Sequence, residues 1–275
     1  MADAPFSLLL PVYGGDVPEH VTSAFRSSVD EQTRQPAEVV IVRDGPVSHD
    51  LEDALASLAA ASPVPVNRVN LEANMGLATA LERGLDAVAH DVVARMDADD
   101  LSLPPRFARQ VARMDEGLDL IGSGLVEFHG DLTHVVRSRI PPTGAAIAPF
   151  ARFHSPFNHP TVVFRRSAVR SAGGFQPLGR MEDYWLWARM IHGGARVDNV
   201  AEPLLGYRVD AGAYERRGGL EMLRSEVAVQ RAFRSIGFTT RAEYARNIVV
   251  RGGYRLVPTV VRRNLYRRVF GSKQQ

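Results

Sequence analysis

Apolar and polar residues alternate with two different periods along the first 125 residues of the chain. A continuous apolar run at 6–13 is typical of a buried strand, and it stops at Gly14-Gly15, where a turn is expected. Positions 18–29 then carry apolar residues at helical spacing, with Asp16 placed to cap the helix and Pro18 in its first turn. The same unit recurs with strands at 38–43, 64–70 and 92–96 and with helices at 50–61, at 77–88 and after Pro104-Pro105.

This repetition predicts the fold class. Four strand–helix units favour an α/β fold in which mainly parallel strands form a sheet with helices on both faces. In such sheets the ligand crevice lies beyond the carboxyl ends of the strands. Four segments are expected at that edge: 11–15, 43–46, 70–76 and 97–100.

After residue 125 the periodicity is less regular. Several short apolar runs still predict strands, and one stretch rich in aromatic residues predicts a helix. The expected elements are strands at 125–129, 133–140 and 161–165, a helix at 182–192, and one or two strands within 196–207.

The C-terminal part differs from the rest of the chain in pattern and charge. From Gly218 the spacing of apolar residues is helical to the end, with breaks expected at Gly252-Gly253 and Pro258. Residues 251–273 contain seven basic and no acidic residues, so the remainder carries a net charge of −5 when the whole chain carries +2. We therefore expect a domain at 1–217 followed by a helical region with a basic tail at 218–275.

The composition excludes several classes of protein. The 275 residues include no cysteine, which excludes disulfides, thiol nucleophiles and cysteine-ligated zinc or iron–sulfur sites. No run approaches the roughly 18 apolar residues of a membrane-spanning helix. The N-terminal residues lack the basic region of a signal peptide, so we expect a cytoplasmic protein.

The most informative polar cluster is Asp97-Ala98-Asp99-Asp100, directly after the fourth predicted strand. Three carboxylates within four residues repel one another unless a cation or hydrogen-bond donors stabilise them. Hard oxygen ligands at this density suit Mg²⁺ or Mn²⁺, usually shared with phosphate oxygens. A solvated acidic turn in which Asp100 caps the next helix explains the same residues.

Two further strand ends carry candidate ligand-binding residues. Asp44 ends the second strand and can accept a hydrogen bond from a base or a ribose, although an Asx turn also explains it. Asn74-Met75-Gly76 resembles a helix start whose backbone approaches a ligand closely, and an ordinary helix cap is the alternative.

A third group lies at the start of the helix predicted at 182–192. Glu182 and Asp183 precede three aromatic residues, so a general base beside an aromatic platform for a sugar is one interpretation. Acidic residues favoured by the helix dipole, with the aromatic rings in the core, are the other. His159, in Asn158-His159-Pro160-Thr161, is expected to be structural or to support a neighbouring functional residue.

Together these segments resemble family 2 glycosyltransferases with the GT-A fold, over roughly residues 5–210. Each segment is weak alone, and the resemblance depends on their order and spacing. The matching segments are Leu10-Pro11-Val12-Tyr13, Val40-Ile41-Val42-Arg43-Asp44-Gly45, Asn74-Met75-Gly76-Leu77, Arg95-Met96-Asp97-Ala98-Asp99-Asp100, Asn158-His159-Pro160-Thr161 and Glu182-Asp183-Tyr184-Trp185-Leu186-Trp187.

The resemblance implies an enzyme that takes a sugar from a nucleotide-diphosphate sugar, with UDP-sugars favoured, and inverts the anomeric centre by direct displacement. It implies that Asp99 ligates Mn²⁺ or Mg²⁺, that Asp97 binds the ribose or the metal, and that Asp183 is the general base. Glu182 would support this base, and the metal would neutralise the departing diphosphate. The implied donor-binding residues are Pro11, Tyr13, Asp44, Asn74, Gly76, Arg95 and Asp97.

Two departures from the family pattern change this prediction. Processive members carry Gln-x-x-Arg-Trp where this chain has Leu205-Gly206-Tyr207-Arg208, which favours transfer of one sugar per encounter. Many relatives place a metal-binding His shortly after such a Tyr-Arg pair. Here Val209-Asp210 follows, so Asp210 is the candidate third ligand and water is the alternative. The expected acceptor or diphosphate contacts are His159, Trp185, Tyr207, Arg208, Arg216 and Arg217.

The basic tail suggests a further partner. As a helix, residues 258–271 would place Val261, Leu265 and Val269 on one side and arginines over the rest. This pattern suits an anionic membrane surface, in agreement with a glycan or lipid-linked acceptor at the inner face of the cell membrane. A helix docked on the first domain explains the pattern equally well, and no aromatic-basic platform indicates a nucleic acid.

Three other functions fit less well. A sugar-1-phosphate nucleotidyltransferase needs a basic glycine-rich loop after the first strand, whereas Gly14-Gly15-Asp16 contains no Lys or Arg. A nicotinamide dehydrogenase needs Gly-x-Gly-x-x-Gly at that place, which is absent. A catalytically inactive nucleotide-sugar or glycan-binding protein would not need both Asp99 and Asp183.

Overall fold

A computed structural model describes residues 4–209 and 219–256 of the chain. The strands in these ranges form one sheet with parallel and antiparallel pairs. They are β1 (Ser7–Tyr13), β2 (Glu38–Asp44), β3 (Val66–Asn70), β4 (Val92–Arg95), β5 (Leu101–Ser102), β6 (Leu120–Phe128), β7 (Val135–Arg139), β8 (Val163–Arg165) and β9 (Val197–Arg208).

Helices cover the faces of this sheet. None of the helices in the described ranges is long and apolar enough to cross a membrane. They are α1 (Pro18–Val29), α2 (His49–Ala61), α3 (Leu77–Ala87), α4 (Arg106–Asp115), α5 (Ile147–Ala151), α6 (Arg166–Ser171), α7 (Glu182–His192), α8 (Leu220–Ser235), α9 (Arg241–Asn247) and α10 (Gly253–Leu256), with a π-helical turn at Ile248–Gly252 and 3₁₀ turns at Gly144–Ala146 and His159–Thr161.

The strand order is β3-β2-β1-β4-β8-β6-β9-β5, with β7 paired to β6. The first four strands are parallel to one another, and α1, α2 and α3 form the connections between them. This arrangement confirms the predicted α/β fold class. Beyond β4 the sheet becomes mixed, because β8 lies antiparallel to both β4 and β6 while β6 and β9 are parallel.

Three apolar clusters form the core. The first packs α1, α2 and α4 against one face of the sheet, and the second packs α3, α6 and α7 against the other. The third joins α7 to α8 through Tyr184, Trp185 and Phe233. Helix α7, which carries the predicted general base Asp183 in its first turn, therefore lies between the sheet and the C-terminal helices.

Besides β5, α5 and α6, which the residue pattern did not predict, the structure differs from the predicted elements in three places. Strand β6 begins at Leu120, before Gly122 and Gly124, because these glycines allow close approach of β9. An added Cβ at Gly122 would lie 2.3 Å from Asn199 Oδ1, and one at Gly124 would lie 2.8 Å from the Ala201 carbonyl oxygen.

The second difference is in the C-terminal helices, which are interrupted before the predicted break at Gly252. Gly237 adopts a φ of 78° after α8, and a capping box formed by Thr240 and Glu243 starts α9. The third difference is at α1, where the N-cap residue is Val17 rather than Asp16.

Several predictions fall outside the described residues. They concern the boundary at 217/218, the candidate residues Asp210, Arg216 and Arg217, the break at Pro258 and the basic tail at 257–275.

A buried arginine fixes the ends of the strands relative to one another. Arg106, at the start of α4, is fully buried, and all five of its N–H groups have acceptors. Its Nη2 donates to the carbonyl oxygens of Arg95 at 2.6 Å and Pro160 at 3.0 Å. Its Nη1 contacts Met96 Sδ and Ser102 Oγ, and its Nε donates to Gln110 Oε1 at 3.2 Å. The acidic segment after β4 and the turn at His159–Thr161 are thereby joined.

We predict that Arg106→Lys lowers the free energy of unfolding by about 2–4 kcal/mol, because a lysine keeps the charge but leaves buried acceptors unsatisfied. Arg109→Lys is the matched control, since Arg109 is on the same helix with 64% of its side chain exposed. Urea denaturation measures both variants, and equal stability of the two would contradict this account.

Candidate active site

A cleft of about 550 Å³ opens at the carboxyl ends of β1, β2 and β4. This is the edge at which ligands were expected from the strand pattern. The wall of the cleft includes eight of the residues selected from the sequence: Pro11, Tyr13, Asp44, Asn74, Gly76, Asp97, Asp99 and Tyr207.

Asp44 organises one wall of the cleft. Its two carboxylate oxygens accept hydrogen bonds from the backbone N–H groups of Met75 at 2.7 Å and Gly76 at 2.9 Å. Gly45 follows with a φ of 85°, and a Cβ there would lie 2.5 Å from the Asn74 nitrogen. Each carboxylate oxygen keeps a second lone pair, so Asp44 still has acceptor capacity for a ligand.

Tyr13 provides an exposed aromatic surface at the mouth of the cleft, with 50% of the residue accessible. Gly15 lies directly beneath its ring, and an added Cβ would be 2.5 Å from the Tyr13 hydroxyl oxygen. The ring can stack on a flat ligand, which is the geometry that a nucleobase requires.

The three acidic residues after β4 converge as the sequence predicted. Asp97, Asp99 and Asp100 each offer a carboxylate oxygen, and these oxygens lie within 4.8 Å of one another. Burial raises the pKa of Asp99 to about 6, with a contribution from the charge of Asp97. Oxygen ligands this close suit a hard divalent cation.

Asp100 gives the strongest indication that the cluster fits a cation. Its Oδ1 accepts the backbone N–H of Arg208 at 2.9 Å, whereas its buried Oδ2 has no hydrogen-bond partner among the described residues. Burial, together with the charges of Asp97 and Asp99, raises the pKa of Asp100 well above its ordinary value. An unsatisfied buried carboxylate oxygen costs free energy that a bound cation would recover.

Asp16 belongs to the same acidic group, which the sequence did not reveal. The predicted helix-cap role of Asp16 is wrong, because its Oδ2 accepts the Tyr13 backbone N–H at 2.9 Å and the residue lines the cleft. Burial raises the pKa of Asp16 to about 7, and the charges of Asp99 and Asp97 add to this shift. Only folding brings Asp16 to Asp97 and Asp99, so no local motif could identify it.

Arg95 lies behind the cleft rather than in its wall. Only 1% of the residue is exposed, and its guanidinium holds the carboxylate of Asp97 with two hydrogen bonds, one of them 3.0 Å long. The sequence predicted that Arg95 contacts the donor directly, but a side chain buried behind the cleft wall is not placed for that contact. Arg95 instead fixes the orientation of Asp97, because a fork of paired donors matches a carboxylate.

Helix α7 begins with Glu182 and the predicted general base, Asp183. Burial raises the pKa of Asp183, whose Oδ1 accepts the Tyr184 N–H at 2.7 Å, while 24% of its side chain remains exposed. Burial and the neighbouring Asp183 raise the pKa of Glu182 to about 7. The positive charge of Arg95 opposes both shifts, so one buried cation acts on the acids of α7 and on those of the cleft.

His159 lies beside Asp183, with its Nδ1 3.9 Å from Asp183 Oδ2. Its ring stacks on Phe175 and meets Trp187 edge to face. Burial, together with the charge of Arg95, lowers the pKa of His159 well below 6.5, so the ring is neutral at pH 7. His159 therefore supports α7 from a buried position, as one of the two sequence interpretations proposed.

The aromatic residues of α7 do not form a platform in the cleft. Tyr184 and Trp187 are buried in the core, so the platform interpretation is wrong for both. Trp185 is 9% exposed; its indole N–H donates to Gln176 Oε1 at 3.0 Å and its ring packs beside Phe233 of α8. The structure thus favours the alternative in which aromatic residues anchor the helix.

Arg208 braces the acidic segment. Its Nε donates to the Asp99 carbonyl oxygen at 2.8 Å and its Nη1 to the Gly130 carbonyl oxygen at 2.7 Å, while the guanidinium covers the Phe128 ring. The positive charge of Arg208 also offsets part of the rise that burial causes in the pKa of Asp99. Neighbouring Tyr207 lines the cleft and lies against the Arg139 guanidinium.

Comparison with known proteins agrees with this geometry. The model of the family Glycosyl transferase family 2 matches residues 7–173. Amylovoran biosynthesis glycosyltransferase AmsE of Erwinia amylovora is 37% identical over 95% of this chain and 97% of its own length. UDP-Gal:alpha-D-GlcNAc-diphosphoundecaprenol beta-1,3-galactosyltransferase of Escherichia coli is 32% identical over 97% of both chains.

Two solved structures share the fold. S. aureus TarS 1-349 in complex with UDP-GlcNAc superposes with a TM-score of 0.67 and 16% identity, covering 89% of this chain and 70% of that one. The mannosyltransferase PcManGT from Pyrobaculum calidifontis, in complex with GDP-Man and Mn²⁺, gives a TM-score of 0.66 and 18% identity, covering 98% and 77%. From the family match and the relatives that align over nearly their whole length, we conclude that the chain belongs to glycosyltransferase family 2 and is a glycosyltransferase with the GT-A fold.

Proposed function

We propose that the protein is a metal-dependent, inverting glycosyltransferase that moves one sugar from a UDP-sugar to a hydroxyl group of a glycan or lipid-linked acceptor. The observation that carries the proposal is the presence of two acidic groups around the buried cation of Arg95. Asp97 and Asp99 in the cleft suit a cation with a diphosphate, and Asp183 at the start of α7 suits proton abstraction.

The cleft supports a nucleotide donor. The Tyr13 ring would stack on the base, and the free lone pairs of Asp44 would accept a ring N–H. UDP is the preferred nucleotide because the Escherichia coli relative is named for UDP-Gal and TarS was solved with UDP-GlcNAc and with UDP. PcManGT was solved with GDP-Man, so the affinities of this protein for UDP and for GDP should be compared directly.

Asp99, Asp97 and the buried Oδ2 of Asp100 are the groups that would hold Mn²⁺ or Mg²⁺. A bound cation would neutralise the charge that develops on the departing diphosphate. Asp210, the third ligand expected from the family pattern, is a further proposed protein ligand beside these three, and Arg216 and Arg217 are the proposed diphosphate contacts.

Asp183 is the proposed general base. Burial makes its carboxylate more basic than an exposed one, while the charge of Arg95 favours the ionised form needed to accept a proton. The accessible quarter of its side chain can receive the proton of an acceptor hydroxyl. The neutral ring of His159 lies beside Asp183, and Glu182, the proposed supporting residue, precedes Asp183 in α7.

We further propose a lipid-linked glycan as the acceptor. The Escherichia coli relative is named for a diphosphoundecaprenol-linked acceptor, and AmsE is named for amylovoran biosynthesis. In this proposal the domain at 1–217 carries out transfer at the cytoplasmic face of the membrane. The helical region at 218–275 contributes the attraction to anionic lipid through the five basic residues at 257–275, because Arg251 and Arg255 pair with the buried Glu226.

We predict that Asp99→Asn reduces turnover by at least roughly 10²-fold and weakens Mn²⁺-dependent UDP binding, because it removes a charged ligand from the cluster. Titration calorimetry with UDP, with and without Mn²⁺, measures binding. Asp131→Asn, at the exposed tip of the β6–β7 hairpin, is the control. Near-normal turnover of Asp99→Asn, or full activity in EDTA, would refute the metal assignment.

We predict that Asp183→Asn lowers kcat by roughly 10²–10⁴-fold with little change in UDP affinity, because the amide cannot accept the proton. The neighbouring Glu182→Gln variant is the control and should retain most of the activity. The opposite pattern, with Asp183→Asn active and Glu182→Gln inactive, would place the base on Glu182.

We predict that Asp16→Asn raises the Tm of the metal-free protein more at pH 8 than at pH 5.5. The pKa of Asp16 is raised from 3.8 to about 7 in the folded state, so stability that is present below pH 3.8 is lost as the pH rises from there through about 7. Asparagine keeps an acceptor for the Tyr13 N–H and removes the charge. Thermal unfolding at both pH values, with Glu31→Gln as an exposed control, tests this; an equal or lower Tm at pH 8 contradicts it.

A further inference from the structure

The helical segment from α9 to α10 has an unusual distribution of polar and apolar residues. Asn247 and Gly252 are buried, and Arg251 and Arg255 turn inward to the fully buried carboxylate of Glu226. Val249 and Val250, in contrast, are 72% and 52% exposed. A surface helix normally buries its aliphatic residues and exposes its charges, so this segment is inverted.

The inward polar contacts hold the segment firmly in this orientation. Arg251 Nε and Nη2 donate to the two oxygens of Glu226 at 2.6 and 2.9 Å, and Arg255 Nη2 donates to one of them at 3.2 Å. Asn247 Nδ2 donates to the Arg152 carbonyl oxygen at 2.7 Å and to Gln230 Oε1 at 2.8 Å. Rotation that buried the valines would break this network and leave Glu226 unpaired, at a high cost in free energy.

The outward residues lie on one face. Arg246, Val250 and Tyr254 follow at intervals of four residues, and Val249 precedes Tyr254 by five, which is the spacing of the π-helical turn at Ile248–Gly252. Tyr254 is 40% exposed, and the exposed Arg246 covers the ring of Phe153. We call Arg246, Val249, Val250 and Tyr254 the outer face.

We propose that the outer face contacts the surface of an anionic lipid bilayer; this inference rests on the proposed transfer to a lipid-linked acceptor. Exposed aliphatic side chains next to Tyr and Arg match the apolar and anionic layers of a bilayer surface. The chain also continues from this segment with residues 257–275, which contain five basic and no acidic residues. The charge of the sequence that follows the outer face thus complements anionic lipid.

The inner side of the segment contacts the helix that carries the proposed base. The Arg251 guanidinium, on the inner side of the same segment, lies 5.7 Å from the centre of the Tyr184 ring, and Tyr184 follows Asp183 in α7. Tyr184 in turn donates to the Ala151 carbonyl oxygen at 2.7 Å. A bilayer held at the outer face would therefore lie on the far side of a segment that contacts α7.

Co-sedimentation with vesicles tests the proposal on the full-length chain. The probes are vesicles of equal parts phosphatidylglycerol and phosphatidylcholine, and vesicles of phosphatidylcholine alone. The variant is Val249→Ser with Val250→Ser. The matched control is Val135→Ser with Val136→Ser in β7, where the two valines are 49% and 43% exposed.

We expect wild type and the β7 control to bind the anionic vesicles, and the outer-face variant to bind them roughly tenfold more weakly. Equal binding of the outer-face variant and wild type, or no binding of wild type to anionic vesicles, would overturn the proposal. A wild-type dimer in light scattering that the outer-face variant abolishes would identify a second copy of the chain as the occupant, and would also overturn it.

Turnover of a water-soluble acceptor separates this proposal from the proposed function. The outer-face variant should match wild type in that assay and in thermal unfolding, because it alters only exposed side chains away from the acidic residues. Absence of UDP-sugar turnover in every protein would refute the proposed function, while the vesicle result would still decide the role of the outer face.

Discussion

The site depends on one buried positive charge placed among carboxylates that would otherwise repel one another. Arg95 is 1% exposed; it grips Asp97 directly, and its charge opposes the rise that burial causes in the pKa of Asp99, Glu182 and Asp183. Opposite charges interact far more strongly in a protein interior than in water. A single guanidinium therefore favours the ionised form both of the acids in the cleft and of the acids at the start of α7.

The backbone around this charge is held by a second guanidinium. Arg106 donates to the carbonyl oxygens of Arg95 and Pro160, so it connects the end of β4 with the turn that positions His159. Burial and the positive charge of Arg95 lower the pKa of Arg106 to about 9, and the negative charges of Asp100 and Asp97 partly offset that shift. The acidic segment thus stabilises the charge of Arg106, while the hydrogen bonds of Arg106 hold the backbone at the end of β4.

Local patterns predicted the parts of this architecture that are local in sequence. The period of apolar residues identified β1 to β4 and α7, and the rule that ligands bind beyond parallel strand ends selected the cleft that Asp44 and Asp99 line. Sequence patterns failed where contacts between residues distant in the chain determine the role of a residue. Asp16 looked like a helix cap until folding brought it to the acidic cluster, and the strand predicted at 125–129 omitted residues 120–124, where Gly122 allows close strand packing. The outward valines were similarly hidden, because only the inward pull of Glu226 on the arginines inverts that helix.

The charge of Arg95 opposes the burial that raises the pKa of Asp183 in the first turn of α7, and so favours the ionised form of the proposed base. The most direct measurement is the pH dependence of kcat for wild type and Arg95→Gln with a UDP-sugar and saturating Mn²⁺. Because the charge of Arg95 lowers the pKa of Asp183, its removal should move the acid limb of the profile to higher pH. An acid limb at the same pH in both proteins would contradict the account.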